Sequence, residues 1–401
     1  MSSFHLLAAF CLTALSLPAA AQSAAAVASD YATVVGRVVS RGIHAGGFAG
    51  AAVSIGNRDT TLVQRGFGRT SWIDGASNVT ASGTSYDLAS LTKVVATTSA
   101  IMLLVDEGRV GIDDRVADHL REFGGAGRDG ITIRDLLMHR GGLPAGPDLR
   151  GAASPAAARR AVLSTTLAYR PGTRTLYSDV GPMILAMVAE RVTGESLDRF
   201  VYRRLFVPLD MRSTGFGAPQ GTFASSTGSA GDGMVHDANA RRLGGVAGHA
   251  GLFSTASDLA RFARLLLNGG ELDGVRIFSD TTVALFTSRQ VDGRPLGWDM
   301  CPGGGRCGLR MSVAAFGHTG FTGTSMWIDP EQGVFAILLT NAVLGPRAYD
   351  PVAVLSDVRA DIADLAVCSS TGAGVGEIRL RAEIAINWFR AGATPVSMAG
   401  Y

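Results

Sequence analysis

The stretch Tyr86-Asp87-Leu88-Ala89-Ser90-Leu91-Thr92-Lys93 runs without a break into Val94-Val95-Ala96-Thr97-Thr98-Ser99-Ala100-Ile101-Met102-Leu103-Leu104-Val105, and Gly108 follows shortly after. The second segment is apolar on most faces of a helix, which marks a helix buried on all sides, and the glycine is a natural stop. With Ser90 at the first turn, Lys93 stands one turn further on and on the same face, so its amine reaches the Ser90 hydroxyl. The helix N-terminus adds unpaired backbone N–H groups and the positive end of the macrodipole, which suit a developing oxyanion.

A Ser-x-x-Lys match alone is common. Here Lys93 is the only lysine in the chain, and every other cationic position apart from the histidines is arginine. A composition that avoids lysine would place arginine at a merely structural cation. Arginine does not give up its proton in a protein, whereas a buried lysine has a pKa that burial lowers toward that of a base or proton shuttle.

Outward from this segment, 401 residues, 47% of them apolar, are enough to bury a large core. The net charge of +2 comes from balanced arginine and acidic residues with no basic run, so no nucleic-acid surface or electrostatic membrane patch is marked. The expected partner is a small-molecule or peptide substrate. Tyr31 to Arg41 has helical spacing, and Ala51–Ile55 with Thr61–Phe67 read as a hairpin. Ser325–Ile328 and Val334–Leu339 flank turn residues 329–333 as a second hairpin, and Pro351–Val367 reads as a closing helix. Between these lie helical segments at Ile133–His139, Gly181–Val192 and Thr255–Leu267, separated by Gly- and Pro-rich loops. The expected architecture is α/β (α+β): an antiparallel sheet from residues 30–125 and 285–367, flanked by terminal helices, with a mainly helical insertion over 126–284. A cleft between the two parts would hold the site. Residues 368–401 offer no clear partner for their apolar side chains and are expected to form a loosely attached tail.

Residues 1–21 read as an export signal, with an apolar stretch from Leu6 to Leu17, Pro18, and Ala19-Ala20-Ala21 before Gln22. The charged leader is missing, but the apolar run is shorter than the ~20 residues of a membrane span, and bulky Phe10 before Cys11 argues against a lipid anchor. Periplasmic or secreted localisation without a stable membrane anchor is expected. In the mature chain Cys301-Pro-Gly-Gly-Gly-Arg-Cys307 closes a short loop, for which a disulfide is favoured over zinc and two free thiols stay open. His236-Asp237 and His249 lie in Gly-rich loops without tight ligand spacing, so no metal is expected. His139, beside Arg140 and Gly141, reads as a cation at a helix end. No Gly-x-Ser-x-Gly elbow is present, which disfavours an α/β-hydrolase triad.

Two further motifs follow Ser90-x-x-Lys93 in order. Tyr177-Ser178-Asp179 comes after Tyr169-Arg-Pro-Gly-Thr-Arg-Thr-Leu176, and His318-Thr319-Gly320 lies in Phe316-Gly-His-Thr-Gly-Phe-Thr-Gly-Thr324. Together they resemble the three signature elements of the serine β-lactamase and penicillin-binding protein superfamily, class C β-lactamases and related esterases and DD-peptidases included. Ile131–Leu143 and Gly244–Leu259 also resemble family segments, and the likeness runs from about Tyr31 to Val367. It implies that Tyr177, partly ionised by the Lys93 ammonium, takes the Ser90 proton and later activates the deacylating water. It also implies that His318 and Thr319 bind a substrate carboxylate or polar group, that Gly320 keeps the strand open, and that the N–H groups of Ser90 and Phe321 form the oxyanion hole. Asp179 stands where the family usually has Asn, and His318 where it usually has Lys. Asp179 holds an ammonium but donates no hydrogen bond, and the charge of His318 depends on pH. Both changes favour small-ester over β-lactam hydrolysis through an acyl-Ser90 intermediate, with no cofactor. The alternatives are a D-Ala-D-Ala carboxypeptidase or β-lactamase, and a non-catalytic sensor of peptidoglycan or β-lactams.

Overall fold

A computed structural model describes residues 19–217, 222–224, 233–290, 293–301, 305–344, 351–371 and 375–390. The expected export signal lies outside these residues up to position 18. Helix α1 (Ala19–His44) buries Val34, Val35, Val38 and Val39, an i, i+1, i+4, i+5 stripe. It leads into the hairpin of β1 (Gly50–Asn57) and β2 (Thr61–Gly68), whose tip is tied by the Asn57 side chain accepting from the N–H groups of Asp59 and Thr60. Strand β3 (Thr84–Asp87) precedes a π-helical turn, Lys93–Thr98, that continues as α2 (Ser99–Asp106).

In the middle of the chain, α3 (Ile133–Leu137) starts at a capping box of Thr132 and Asp135, and α4 (Val180–Thr193) stops at left-handed Gly194. Strand β4 (Leu252–Ser254) pairs antiparallel with β3, and α5 (Ala256–Leu267) is capped by Thr255. The late strands are β5 (Asp299–Met300), β6 (Phe316–Thr319), β7 (Ser325–Asp329) and β8 (Val334–Thr340). They join the first hairpin in one six-stranded antiparallel sheet of order β2-β1-β8-β7-β6-β5, so residues from both halves of the chain make it.

Helices cover both faces of this sheet, which explains why β8 is apolar at nearly every position instead of alternating. Phe335, Ile337 and Leu339 point into one core with Ala52, Met326 and Ile328, while Val334, Ala336 and Leu338 point into the other with Ala51, Val53 and Trp327. Helices α1 and α6 (Pro351–Thr371) pack on the second face, and α5 on the first. The expected insertion over 126–284 thus includes a helix that belongs to the sheet: Leu259, Phe262, Ala263 and Leu266 form an i, i+3, i+4, i+7 stripe in the same core.

The expected loose tail is also corrected. Residues Val375–Arg390 form α7, which docks on α1 and buries Ile378 and Ala382 completely. Their i, i+4 spacing gives the helix an apolar edge, and α1 supplies the missing partner. Positions 372–374 and 391–401 lie outside the described residues. Cys301 and Cys307 are joined by a disulfide with Cα atoms 5.7 Å apart, and Cys368 is a buried free thiol. Among the described residues no helix is long and apolar enough to cross a membrane.

Candidate active site

The nucleophile turn is built from β3 outward. Asp87 ends the strand and, fully buried, accepts from Ala89 N–H (2.8 Å) and His236 N–H (2.7 Å). These bonds hold Ala89 at φ 46°, a left-handed conformation that a non-glycine residue keeps only when its surroundings impose it. Burial raises the Asp87 pKa, and the two N–H donors offset it only in part. The turn then winds through Leu91 N–H to Leu88 O, Thr92 N–H to Ala89 O and Lys93 N–H to Ser90 O, which places half-buried Ser90 at the mouth of a helix otherwise sunk in the core.

Lys93 sits one turn in, buried. Its Nζ donates to Ser90 Oγ (2.8 Å) and to the carbonyl of His249 (3.1 Å), and pairs with Asp179 Oδ1 at 2.8 Å. The amine is therefore saturated by three acceptors. Gly248 makes the His249 carbonyl available: a Cβ there would fall 2.0 Å from Pro182 O, so only glycine lets this loop lie against the first turn of α4. Burial alone would lower the Lys93 pKa, as the sequence suggested, but the charges of Tyr177 and Asp179 and hydrogen bonds to both outweigh it, and the net direction is upward. Lys93 is an ammonium at rest, and the expectation of a lowered, base-like lysine is corrected.

Tyr177-Ser178-Asp179 is pinned against the loop after α3. Leu176 N–H donates to His139 O, Ser178 N–H to His139 Nδ1 (3.2 Å), Ser178 Oγ–H to Pro144 O (2.6 Å) and Asp179 N–H to Ala145 O (2.7 Å). Asp179 stands at the N-cap of α4, yet its carboxylate goes to Lys93 and makes no cap bond. Tyr177 Oη donates to Ser90 Oγ at 3.0 Å, and its ring centroid lies 5.1 Å from Lys93 Nζ. His139 is not a helix-end cation. It is buried, its ring packs 4.7 Å from that of Tyr177, and burial, then the charges of Arg294 and Lys93, hold its pKa well below the usual range. As a neutral acceptor it aims the tyrosine.

Strand β6 borders the same space. Phe316 and His318 share its face toward the core that contains α2 and α4, and the His318 ring lies 5.9 Å from Tyr177. His318 is 2% exposed; Nδ1–H donates to Thr319 O (2.7 Å), and among the described residues the buried Nε2 has no partner. Burial pushes its pKa down to about 4, with Asp299 pulling the other way and Lys93 adding to the fall. The pH-dependent carboxylate contact expected of His318 is therefore corrected: at neutral pH the ring is uncharged packing beneath Tyr177. Thr319 is half-buried at the strand's end. Gly320 also has a structural job. A Cβ there would meet Thr324 Oγ1 at 2.1 Å and Leu88 O at 2.5 Å, so the glycine lets the β6–β7 turn press against the Ser90 turn. Thr322 and Thr324 hydroxyls bind the carbonyls of Asp87 and Leu88 and lock the two turns together. Among the described residues, neither Ser90 N–H nor Phe321 N–H has an acceptor.

Family comparison accords with this constellation. A model of the Beta-lactamase family matches residues 35–358. The chain belongs to the Beta-lactamase family. It is a serine hydrolase of the β-lactamase and penicillin-binding protein type. A protein of Escherichia coli K12 named "Putative D-alanyl-D-alanine carboxypeptidase" is 35% identical over 313 residues, 67% of this chain and 71% of that protein, and one of Salmonella agona with the same name is 34% identical over the same shares. In fold, the chain resembles EstCE1, a hydrolase with promiscuous acyltransferase activity (TM-score 0.67, 22% identity, 83% of this chain and 99% of that one). It also resembles a family VIII carboxylesterase (TM-score 0.66, 22% identity, 82% of this chain and 96% of that one).

All eight residues named from sequence lie on the turns and strand just described. His139, Asp87 and His249 were missed as parts of the site. His139 and His249 lie in segments that resembled the family, but neither spacing nor polarity reveals that one accepts a backbone N–H and the other lends its carbonyl. His249 Nε2 meets Asp237 Oδ1 at 2.9 Å; burial opposes the Asp237 charge, but His249, Ala240 N–H and Lys93 hold its pKa well below the usual carboxylate range. This contact braces the Lys93 loop, and among the described residues no cluster suited to a metal occurs.

Proposed function

We propose that this Beta-lactamase family member is an exported acyl hydrolase that works through an acyl-Ser90 intermediate and prefers small esters to β-lactams. The observation that carries the reading is Ser90 Oγ within 2.8 Å of Lys93 Nζ and 3.0 Å of Tyr177 Oη, in a pocket where Lys93 is held charged by Asp179. For attack the Tyr177 phenol first gives up its proton to solvent and stands as a phenolate beside the Lys93 ammonium; Ser90 Oγ then adds to the ester carbonyl as its proton passes to that phenolate. The carbonyl oxygen takes up negative charge facing the N–H groups of Ser90 and Phe321. Collapse of the tetrahedral intermediate expels the alcohol, which leaves with the proton from Tyr177. A water then enters, gives a proton to the phenolate as its oxygen adds to the acyl carbonyl, and the acid is released as Tyr177 passes that proton back to Ser90 Oγ. No cofactor is needed.

Substrate preference follows from what the cleft lacks. The Asp179 carboxylate is committed to Lys93, and His318 is neutral and inward, so neither supplies the amide donor or fixed cation that a β-lactam's side-chain carbonyl and carboxylate favour. Phe321 is 74% exposed, 5.5 Å from the His236 ring, and supplies an apolar wall for an acyl chain. A second reading, D-Ala-D-Ala carboxypeptidase, is favoured by the names of the curated relatives. Comparing kcat/KM for a short-chain nitrophenyl ester, a chromogenic cephalosporin and a D-Ala-D-Ala peptide decides between them. The ester should lead, and Asp179→Asn should lower ester turnover while raising the cephalosporin-to-ester ratio. A wild type that prefers the peptide or the cephalosporin overturns the ester assignment.

A further inference from the structure

Behind the β6–β7 turn lies a cation that none of the family motifs includes. Arg359, in the middle of α6, is 9% exposed, and its Nη2 donates to the carbonyls of Gly320 (3.1 Å) and Thr324 (2.8 Å). Among the described residues its Nε is buried without a partner and no carboxylate pairs with it. The acids on the next turns are engaged elsewhere: Asp361 with Arg41, and Asp364 with the N–H groups of Leu309 and Arg310. Burial, with the nearby Arg306 charge, lowers the Arg359 pKa to about 9, which leaves it a cation at neutral pH. Burying a charge without a counter-ion is costly, and packing alone would be served better by an apolar residue.

The carbonyl it binds belongs to a particular peptide unit. Gly320 C=O and Phe321 N–H are two ends of one planar, resonance-coupled amide. A charged donor on the oxygen draws electron density from the nitrogen, strengthens the N–H as a donor, and fixes the plane in which it points. The other half of the oxyanion hole has only a neutral partner in the same place, since Ala89 O accepts from Thr92 N–H. We propose that Arg359 is a positioning residue that polarises and orients the Gly320–Phe321 peptide for the developing oxyanion; this rests on the assignment of Phe321 N–H to that role.

The arrangement allows a clean test, because both carbonyls keep a backbone partner when the guanidinium is removed: Gly323 N–H on Gly320 O and Gly320 N–H on Thr324 O. Wild type, Arg359→Met and Arg359→Lys are compared in nitrophenyl ester hydrolysis per Ser90 site titrated with a fluorophosphonate, and in affinity for a phenylboronic acid. The boronate adduct of Ser90 puts a boron-bound oxygen where the oxyanion forms. For Arg359→Met, kcat and boronate affinity should each fall about tenfold with KM changed less than about twofold, a fraction of the loss when a whole oxyanion donor is removed. Arg359→Lys should recover most of both. Arg41→Met, which breaks the buried pair between α1 and Asp361 of the same helix as Arg359, should lower Tm and leave kcat and boronate affinity unchanged. If Arg359→Met does not accumulate folded, Arg359→Gln is read in the same way. An Arg359→Met or Arg359→Gln enzyme with wild-type kcat and boronate affinity shows a merely structural arginine and overturns the inference. A wild type that neither labels on Ser90 nor hydrolyses the ester overturns the underlying site assignment instead.

Discussion

Lys93 shows how one residue's chemistry is set by partners remote in sequence. As the only lysine it stands out in the amino-acid sequence, and its reach to Ser90 follows from helical spacing. The direction of its pKa does not follow, because Tyr177 and Asp179 arrive from another part of the chain and reverse what burial alone would do. Lys93→Arg keeps the charge but replaces a compact three-donor ammonium with a planar fork that does not satisfy Ser90, His249 O and Asp179 from one point. The burst of nitrophenol in stopped flow should fall by about 1,000-fold in rate or vanish, comparable to losing a general acid–base group, and a wild-type burst would remove Lys93 from proton transfer. His318 makes the opposite case: the motif named it, but only the packing reveals it as neutral. With a native pKa near 4 against the ordinary 6.5, the unfolded chain binds the extra proton, so His318 stabilises the native state fully above about pH 6.5 and loses that contribution as pH falls toward 4. His318→Asn keeps a side-chain donor without the titration, so its loss of stability between pH 6.5 and 4 should be smaller by roughly 2 kcal/mol in urea melts. Parallel pH curves for the two proteins would contradict the buried neutral ring.

Among the elements, the site depends on two turns held face to face, the one before α2 and the one between β6 and β7. The scaffold around them was largely legible, since apolar periodicity and turn residues locate β1, β2, β7, β8, α4 and α5 to within a few positions, but β3, which leads into the first turn, was not read as a strand. The contact between the turns was not, because it is made by the hydroxyls of Thr322 and Thr324 on carbonyls and by the missing Cβ of Gly320. Gly320→Ala would drive a methyl into Leu88 O and Thr324 Oγ1 and part the turns. Ester kcat should drop at least about 100-fold, the scale of one lost oxyanion donor, while Tm falls by only a few degrees because both cores stay packed. Wild-type turnover in this variant would show that the close approach is not needed. The same reasoning explains why Arg359 escaped notice: an arginine inside an ordinary helix pattern says nothing about the carbonyl it will meet.

At the scale of the whole molecule, the fold brings strands from both halves of the chain into one sheet and sets the site at the end of β6, next to its edge strand β5. The sheet covered on both faces explains the continuous apolar strands, and the docking of α7 on α1 gives the last helix a partner that lies at the opposite end of the sequence and so could not be seen locally. The result is a wall of β6 and β7 facing the turn that carries Ser90 at the head of the buried helix, with Tyr177 and Asp179 brought in just ahead of α4. Every part of this account converges on one atom, Ser90 Oγ, as the acyl carrier. The most direct measurement is intact and peptide-mapped mass spectrometry of the protein quenched in acid within seconds of mixing with a slowly hydrolysed nitrophenyl ester. One acyl adduct is predicted on the peptide containing Ser90 in the wild type, absent from Ser90→Ala; an adduct elsewhere, or equal acylation of Ser90→Ala, would contradict the account.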